Sequence, residues 1–319
     1  MADTKIEYLT KTWNPIQTII KGESGQGYHC THVSEGCRNC WAEEMNNRFG
    51  NKLPYDSKHL EFEIKESELN KPFSWRKPQV VGVQYMSDLF HEDIRFEMIL
   101  KVMNIALLNP KHTFVFLTKR VTEALLFHKW ICEKEIYQPA EYPKNILFGC
   151  SVEDQTSVYV RISRLIALKQ FFPNIKLWLS VEPMIKAVDL KKYLYRIVTE
   201  FKVKHASMSS KNGSITLGGT SKSNLSICLV VVGGESGKNA RPMHPDWVRK
   251  IRDDCKAANV PFYFKQYGEW RPIDRDIPKE LWDKNHIIEQ NGELLQKVGK
   301  KKAGRLLDGI EHNEFPKNL

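Results

Sequence analysis

Three of the seven cysteines in this 319-residue chain lie in one short stretch, CTHVSEGCRNC, at Cys30, Cys37 and Cys40. A structural zinc site would need a fourth protein ligand, such as His29 or His32, because zinc in such sites is held tetrahedrally. A 4Fe-4S cluster that keeps one iron open needs three thiolates and no fourth protein ligand. The spacing predicts that these cysteines bind a metal, and it leaves both chemistries open.

A second set of candidate residues follows six predicted strands, at the point where each strand ends. In a barrel of parallel strands the carboxyl ends meet at one mouth, where side chains from several strands build the active site. We therefore expect the following residues to face a common site. They are Ser87, Asp88, Lys119, Arg120, Ser151, Glu153, Ser180, Glu182, Gly233, Gly234, Glu235, Lys265 and Gln266.

The cationic and glycine-rich members of this set predict contacts with a polar ligand. Lys119 and Arg120 can neutralise a carboxylate or a phosphate. Lys265 and Gln266 suit the polar edge of a substrate. In the stretch from Gly233 to Glu235, the glycines allow close backbone approach, and the carboxylate can accept from an ammonium or a ribose hydroxyl. A tight turn before a helix is the alternative interpretation of that stretch.

The hydroxyl and carboxyl members predict hydrogen bonds to a ribose or to a substrate. They are Ser151, Glu153, Ser180 and Glu182. The two glutamates stand at similar strand-end positions, so a carboxylate pair for acid–base chemistry, or a site for a divalent metal, is the alternative.

The elements that must position these residues are short apolar strands that alternate with longer amphipathic helices. The predicted strands are Ile6 to Leu9, Val80 to Tyr85, Thr113 to Leu117, Ile146 to Gly149, Lys176 to Leu179, Ile227 to Val232 and Pro261 to Phe264. The predicted helices are Cys40 to Phe49, Phe96 to Leu108, Thr122 to Cys132, Ser157 to Leu168, Leu190 to Phe201 and Pro245 to Ala258. This alternation predicts an α/β fold, a partial or distorted TIM-like (βα)6-7 barrel with parallel strands. An open doubly wound sheet is the alternative, and it would use fewer of the strand ends.

Charge and hydropathy restrict the partners and the location. The net charge of +10 favours a polyanionic partner, such as nucleic acid or a nucleotide. No apolar run approaches the roughly 20 residues that span a bilayer, so we expect no membrane segment. The first residues lack the basic and apolar regions of a secretory signal, which predicts a cytoplasmic location where disulfides are rare.

Two stretches have an unusual composition, one inside the βα repeat and one near the C-terminus. The region around 204–224 is rich in Ser, Lys and Gly, which is typical of a flexible insertion. The stretch from Lys297 to Arg305 has five basic residues and two glycines. It is compatible with a solvated tail or with a flexible basic arm that contacts phosphate. We predict a βα barrel over residues 1–270, followed by a C-terminal basic extension over 271–319.

Short motifs spread along nearly the whole chain carry a family resemblance. They are Thr12 to Pro15, Cys30 to Glu43, Ser87 to His91, Leu117 to Arg120, Ser151 to Glu153, Val181 to Pro183, Gly233 to Gly237, Phe264 to Gly268 and Arg305 to Gly309. The clustered cysteines within the βα repeat resemble the radical S-adenosylmethionine (radical SAM) superfamily. The full set of motifs is most similar to a narrower group, the phage-associated three-cysteine-motif family of radical-SAM-like proteins.

The resemblance implies an enzyme in which Cys30, Cys37 and Cys40 hold a 4Fe-4S cluster. The open iron would bind S-adenosylmethionine, and one electron would split it to a 5'-deoxyadenosyl radical that modifies a nucleobase or nucleotide. Asp88, next to Ser87 at the end of the second strand, lies where the superfamily contacts the methionyl group. A reductant such as flavodoxin or ferredoxin is the expected partner. The alternatives are a zinc-stabilised barrel that binds nucleic acid or catalyses hydrolysis, and an inactive partner protein.

Overall fold

A seven-stranded parallel sheet, curled into a half-barrel, organises the molecule. The computed structural model describes residues 4–19, 26–57, 60–138, 142–194, 202–203, 219–220, 227–273 and 287–316. The strands of the main sheet are β1 (Lys11–Trp13), β2 (Val80–Val83), β3 (Thr113–Thr118), β4 (Ile146–Ser151), β5 (Lys176–Val181), β6 (Ile227–Gly233) and β7 (Phe262–Gln266). Their order across the sheet is their order in the chain, and every neighbouring pair is parallel. The carboxyl ends of all seven strands therefore lie at the same end of the half-barrel.

Six of the seven strands lie where the sequence predicts them, and the first does not. The prediction of a strand from Ile6 to Leu9 is wrong. Strand β1 begins at Lys11, two residues after Leu9, and it pairs with β2 so that Lys11 lies opposite Val81. Strands β4 and β5 each extend two residues beyond their predicted ends. Ser151 and Ser180 are thus residues of the strands themselves, in register with each other.

The longer helices begin and end close to their predicted bounds. They are α1 (Trp41–Phe49), α2 (Phe96–Leu107), α3 (Val121–Glu133) and α4 (Pro245–Ala258). Helix α4 begins as its sequence predicts: Pro245 occupies the first turn, and His244 Nδ1 accepts from the Asp246 N–H. Residues 155–170 form a continuous helical run with a π-helical segment, Val158–Ile162, at its centre.

The two faces of the sheet bury different sets of side chains. Along β3, Phe114 and Phe116 point to the face that packs against the helices, whereas Val115 and Leu117 point to the inner face. This alternation is the ordinary period of a strand, and it separates the helix-covered core from a second apolar cluster inside the half-barrel. The inner face leads directly to the functional site described below.

The segment that was predicted as the first strand fills the interior of the half-barrel. The ring of Tyr8 packs edge-on against Trp178 and Tyr263, with centroids 5.9 Å away in each case. Its hydroxyl donates to the Tyr85 hydroxyl at 3.4 Å, and Leu9 lies beside Gly82. The apolar residues of this segment are therefore buried, as a strand would require, but they line the inner face instead of extending the sheet.

Smaller antiparallel elements surround the main sheet. Their strands are Ile16–Ile19 with Gln26–Gly27 and Glu61–Ile64; Lys202–Val203 with Gly219–Thr220; Trp270–Pro272 with Ile287–Gln290 and Glu293–Lys297; and Leu306–Leu307 with Ile310–Glu311. Short helices occupy Glu66–Leu69, Lys71–Ser74, Lys191–Leu194 and Lys300–Ala303. The predicted boundary near residue 270 stays a prediction.

The C-terminal region folds against the barrel strands. Lys297 and Lys300 belong to a strand and to a short helix, and Lys300 Nζ lies 3.2 Å from Glu7 Oε1. The basic stretch is thus folded and is not the flexible arm that the sequence predicts, while its contact with phosphate stays a prediction. Residues 312–314 run alongside strand β7 at the edge of the sheet. They hydrogen-bond to it, since the Phe264 N–H donates to the His312 carbonyl at 2.9 Å.

Some predictions fall on residues whose structure is not described. The predicted insertion around 204–224 lies outside the described residues, apart from Gly219 and Thr220. The second half of the predicted helix from Leu190 to Phe201 does as well. In the described parts of the chain, no helix is long and apolar enough to cross a lipid bilayer.

Replacing Tyr8 tests whether the segment inside the half-barrel supports the fold. We expect Tyr8→Ala to lower the free energy of unfolding by about 3–5 kcal/mol, because it removes a buried ring from between two others. Tyr8→Phe keeps the ring and should cost less than about 1 kcal/mol. Urea denaturation followed by tryptophan fluorescence measures both. A loss below about 1 kcal/mol for Tyr8→Ala would contradict this role.

Candidate functional site

A cavity of about 190 Å³ opens at the carboxyl ends of the strands, and its walls gather most of the predicted site residues. The predicted residues that line it are Cys30, Cys37, Cys40, Ser87, Asp88, Lys119, Arg120, Ser151, Ser180, Glu182, Gly234, Glu235 and Lys265. They come from the cysteine loop and from the ends of β2 to β7. These residues therefore line one cavity, and their roles in binding or catalysis stay predictions.

The remaining predicted residues, Glu153, Gly233 and Gln266, lie next to the cavity without lining it. Glu153 is buried and accepts from Arg161 Nη1 at 2.6 Å, and Gln266 Nε2 donates to the Gly234 carbonyl at 2.9 Å. Both side chains therefore have structural partners. Glu153 is paired with Arg161 and Glu182 contacts Lys265, so each of the two glutamates has its own cation partner.

The three cysteines belong to a loop that has little regular structure of its own. A single 3-10 turn, Glu35–Cys37, precedes Cys40, which is the residue before helix α1. A β-carbon at Gly36 would lie 3.0 Å from Glu153 Cδ and 3.1 Å from Lys119 Nζ. A side chain at this position would require Glu153 or Lys119 to shift by a few tenths of an ångström, so glycine favours the close packing of the loop over the strand ends.

Arg120 attaches the first part of the loop to strand β3. Its Nη1 lies 3.4 Å from Cys30 Sγ, and its Nη2 donates to the Thr31 carbonyl at 2.9 Å. Its Nε donates to Glu92 at 2.7 Å. Asp88 orients this guanidinium from 3.5 Å. Arg120 therefore contacts the cysteine loop, and its predicted contact with a substrate stays a prediction.

Asp88, the predicted partner of the methionyl amino group, is already surrounded by donors. Its carboxylate accepts from the Thr118 hydroxyl at 2.7 Å, from the Lys119 N–H at 3.0 Å and from the Phe90 N–H at 3.0 Å. The side chain is buried. Through these hydrogen bonds, Asp88 joins the ends of β2 and β3.

Glu235 attaches the second part of the loop to strand β6. It accepts from Asn39 Nδ2 at 3.0 Å, and Asn39 lies between Cys37 and Cys40. It also accepts from Arg241 Nε at 2.9 Å, and Arg241 in turn donates to the Glu35 carbonyl at 2.9 Å. The carboxylate that was predicted to take an ammonium or a ribose hydroxyl thus binds the chain's own guanidinium.

Gly234 shows why the residues before Glu235 are glycines. A β-carbon there would lie 2.0 Å from the Tyr267 carbonyl oxygen, which is an impossible contact. The close backbone approach predicted for this stretch is therefore made to Tyr267, the residue directly after strand β7 of the same chain.

The thiols differ in the charges that surround them. Burial raises the pKa of Cys30 to about 12, although Arg120 opposes the shift. Burial also raises the pKa of Cys40. At Cys37, burial acts in the same direction, but the Lys119 ammonium, 3.4 Å from Sγ, and hydrogen bonds with the backbone lower the pKa overall. Cys37 therefore loses its proton more readily than the other two thiols, and a bound cation would favour the thiolate form of all three.

The histidines that a zinc site would need do not reach the cavity. His32 Nε2 lies 2.8 Å from Glu43, and His29 is buried among the rings of Tyr55, Phe62 and His91. Neither lines the cavity. Among the described residues, no three His, Cys, Asp or Glu side chains are gathered closely enough to hold a metal ion as they stand.

The donor set nevertheless fits a group that takes three sulfur ligands. All three thiols line one cavity, and Lys119 and Arg120 are placed to compensate the negative charge of thiolates. The carboxylates on the cavity wall, Asp88, Glu182 and Glu235, are each bound by a cation of the chain. The described cavity wall therefore offers three soft donors and no uncommitted fourth one.

Several residues of the site escaped the sequence prediction. Asn39 and Arg241 attach the cysteine loop, and Tyr8, Tyr55 and Tyr85 line the cavity. Asn39 could have been found, since it lies between two predicted ligands. Arg241 has no periodic or motif signal, and it is recognised only through its contact with Glu235.

The chain belongs to DUF5131, a family described as proteins of unknown function, whose match covers residues 3–316. No curated protein matches the chain.

The reactivity of the thiols tests the electrostatics of the loop. In metal-free, reduced protein at about pH 7.5, we expect iodoacetamide to label Cys37 faster than Cys30 or Cys40, because the thiolate is the nucleophile. Lys119→Met should slow the labelling of Cys37, since its pKa would rise. Mass spectrometry of the digested protein measures each rate. Equal rates at the three cysteines would contradict the expectation.

The contact between Glu235 and Arg241 predicts a pH-dependent stability difference. Burial opposes ionisation of Glu235, but the hydrogen bonds from Arg241 lower its pKa below the ordinary value. The stabilisation is therefore present at neutral pH and is lost as the pH falls through the lowered pKa. Arg241→Met should cost about 2–3 kcal/mol near pH 7 and less near pH 3. Urea denaturation at both pH values measures this, and a pH-independent difference would contradict it.

Proposed function

We propose that this protein is a radical SAM enzyme in which Cys30, Cys37 and Cys40 hold a 4Fe-4S cluster. One observation carries the proposal: three thiols from a single loop line one cavity, and each carboxylate on the described cavity wall is paired with a cation of the chain. A redox-inert structural zinc site would normally be closed by a fourth protein donor. Three protein donors suit a cluster whose last iron is left to a small molecule. When bound, such a cluster would supply the electron that splits S-adenosylmethionine and releases a 5'-deoxyadenosyl radical.

The chain's own residues would prepare the cavity for that chemistry. Lys119 and Arg120 offset the negative charge of the thiolates at 3.4 Å, which allows three sulfurs to ionise close together. Asp88 keeps Arg120 in place. Tyr55, Trp41 and the cysteine loop line the cavity and would limit the access of water to a reactive species.

We further propose that the half-barrel is a partial TIM-like barrel of the radical SAM type. Its carboxyl-terminal cavity, built from several strand ends, is where such barrels place their sites. A cytoplasmic setting would keep the thiols reduced, and a flavodoxin or ferredoxin would deliver the electron. The net charge of +10 supports a nucleic acid or a nucleotide as the molecule acted on. The proposal also includes membership of the phage-associated group that the motifs resemble.

Metal analysis of anaerobically purified protein tests the proposal. We expect a brown protein with a broad absorbance near about 400 nm and about four irons per chain. Reduction in the presence of S-adenosylmethionine should release 5'-deoxyadenosine. Alanine at Cys30, Cys37 or Cys40 should abolish both signals, whereas Cys132→Ala, in helix α3 away from the cavity, should leave them intact.

The zinc alternative gives a different result in the same experiment. A colourless protein that carries one zinc per chain, and loses it in the cysteine variants, would overturn the proposal. Circular dichroism of each variant separates the loss of the metal from a loss of the fold.

A further inference from the structure

An exposed aromatic ring and a group of lysines lie together outside the cavity, on the helical layer of the protein. Tyr159, in the π-helical segment, is 53% exposed. Lys192 Nζ lies 4.8 Å from the centroid of this ring and 4.8 Å from that of Tyr193. Lys191 and Lys192 begin a short helix, and both are exposed. The cation therefore helps to hold the tyrosine ring in place while the ring stays accessible to a ligand.

The segment that carries the lysines is continuous with the cavity wall. It begins with Glu182 and Pro183, which line the cavity directly after strand β5. The next lysine, Lys186, is exposed, and its N–H donates to the Glu153 carbonyl at 3.3 Å. Glu153 follows strand β4, so this hydrogen bond fixes the segment beside the mouth of the cavity.

The charges of this surface are not balanced by acids. In the part of the chain that the structure describes, Lys186, Lys191 and Lys192 form no ion pair. Asp189, the acid on the same segment, is bound by Lys250 Nζ at 3.3 Å. Three exposed positive charges with little compensation attract polyanions, and they account for part of the net charge of +10.

The combination of lysines with an exposed ring favours single-stranded nucleic acid over other polyanions. Single strands bind through contacts between phosphates and cations and through stacking of their bases on aromatic rings. A duplex keeps its bases stacked on each other, so it cannot use the ring in this way. An anionic membrane usually requires a cluster of about four to eight cations, which is more than this surface presents.

We propose that Tyr159, Lys186, Lys191 and Lys192 bind single-stranded nucleic acid and guide the strand past the mouth of the cavity. The lysines contact phosphates, and the ring stacks on one base. The inference deepens the proposed function and rests on it for one point, that the bound strand is the molecule acted on. That molecule is then a polymer and not a free nucleotide. Phosphates and base faces occur in every sequence, so this surface should bind with little sequence preference.

The anisotropy of a fluorescently labelled single strand of about 16 nucleotides, titrated with the full chain, tests the surface. DNA and RNA strands are each measured at several salt concentrations. We expect the double variant Lys191→Gln/Lys192→Gln to bind about tenfold more weakly near 0.1 M salt. The slope of log K against log salt should fall by about 0.7 for each lysine removed, because fewer counterions are released.

Lys301→Gln/Lys302→Gln is the matched control. These two lysines are also adjacent and exposed in a short helix, but that helix packs next to the end of strand β7. The change in net charge is the same, so the control removes any effect of total charge. We expect it to change the affinity by less than about twofold.

Two substitutions of Tyr159 test the stacking. Tyr159→Ala should weaken binding of the strand about tenfold, because a base loses its aromatic platform. Tyr159→Phe keeps the ring and should bind within about twofold of the unchanged protein. Circular dichroism of each variant checks that the fold is retained.

The possible results separate this inference from its competitors and from the proposed function. Equal weakening by the two double variants, or full affinity in Tyr159→Ala, would overturn the inference. Tighter binding to vesicles of anionic phospholipid, lost in Lys191→Gln/Lys192→Gln, would assign the surface to a membrane instead. A protein that carries the cluster but does not bind the strand also contradicts the inference and leaves the proposed function standing. Binding through these residues in a protein without a cluster would overturn the proposed function and retain the surface.

Discussion

The candidate site depends on the attachment of one irregular loop by buried charges. Arg120 binds the loop at Cys30 and Thr31, and Glu235 with Arg241 binds it at Asn39 and Glu35. Because the loop has little secondary structure, these contacts replace the backbone pairing that fixes the strands below it. They come from the ends of β3 and β6, so the curvature of the sheet brings the two anchors to opposite sides of the same loop. The position of the thiols thus follows from the barrel more than from the loop.

The same charges limit what else the cavity can do. Each carboxylate on the described wall is bound by a cation, and each cation is bound by a carboxylate or lies beside a sulfur. Charges interact more strongly when they are shielded from water, so these ion pairs are stronger than pairs on an exposed surface would be. The wall is close to balanced before any ligand arrives. Residues that looked like ligand-binding groups in the sequence, such as Asp88 and Glu235, are parts of that balance.

The sequence predicted the layout of the site better than the partners of its side chains. Strand positions from β2 onward follow from apolar runs, and their polar ends gather as the barrel geometry requires. The alternation of a strand also explains why Lys265 faces the cavity and Gln266 does not, so this part of the error could have been avoided. Ile6 to Leu9 has the apolar pattern of a strand but packs inside the half-barrel, and pattern alone cannot separate these two kinds of burial. The pairing of Glu153 with Arg161, eight residues later in a π-helical turn, has no local signal.

The residues that follow the hairpin of Leu306–Leu307 and Ile310–Glu311 have a consequence for solubility. By hydrogen-bonding to strand β7, residues 312–314 occupy a row of main-chain donors and acceptors that would otherwise face water. An unprotected border of a sheet is a template on which strands of other molecules can add. These residues therefore protect the edge of the sheet from self-association. A chain truncated before residue 312 should aggregate more readily, even with its cavity intact.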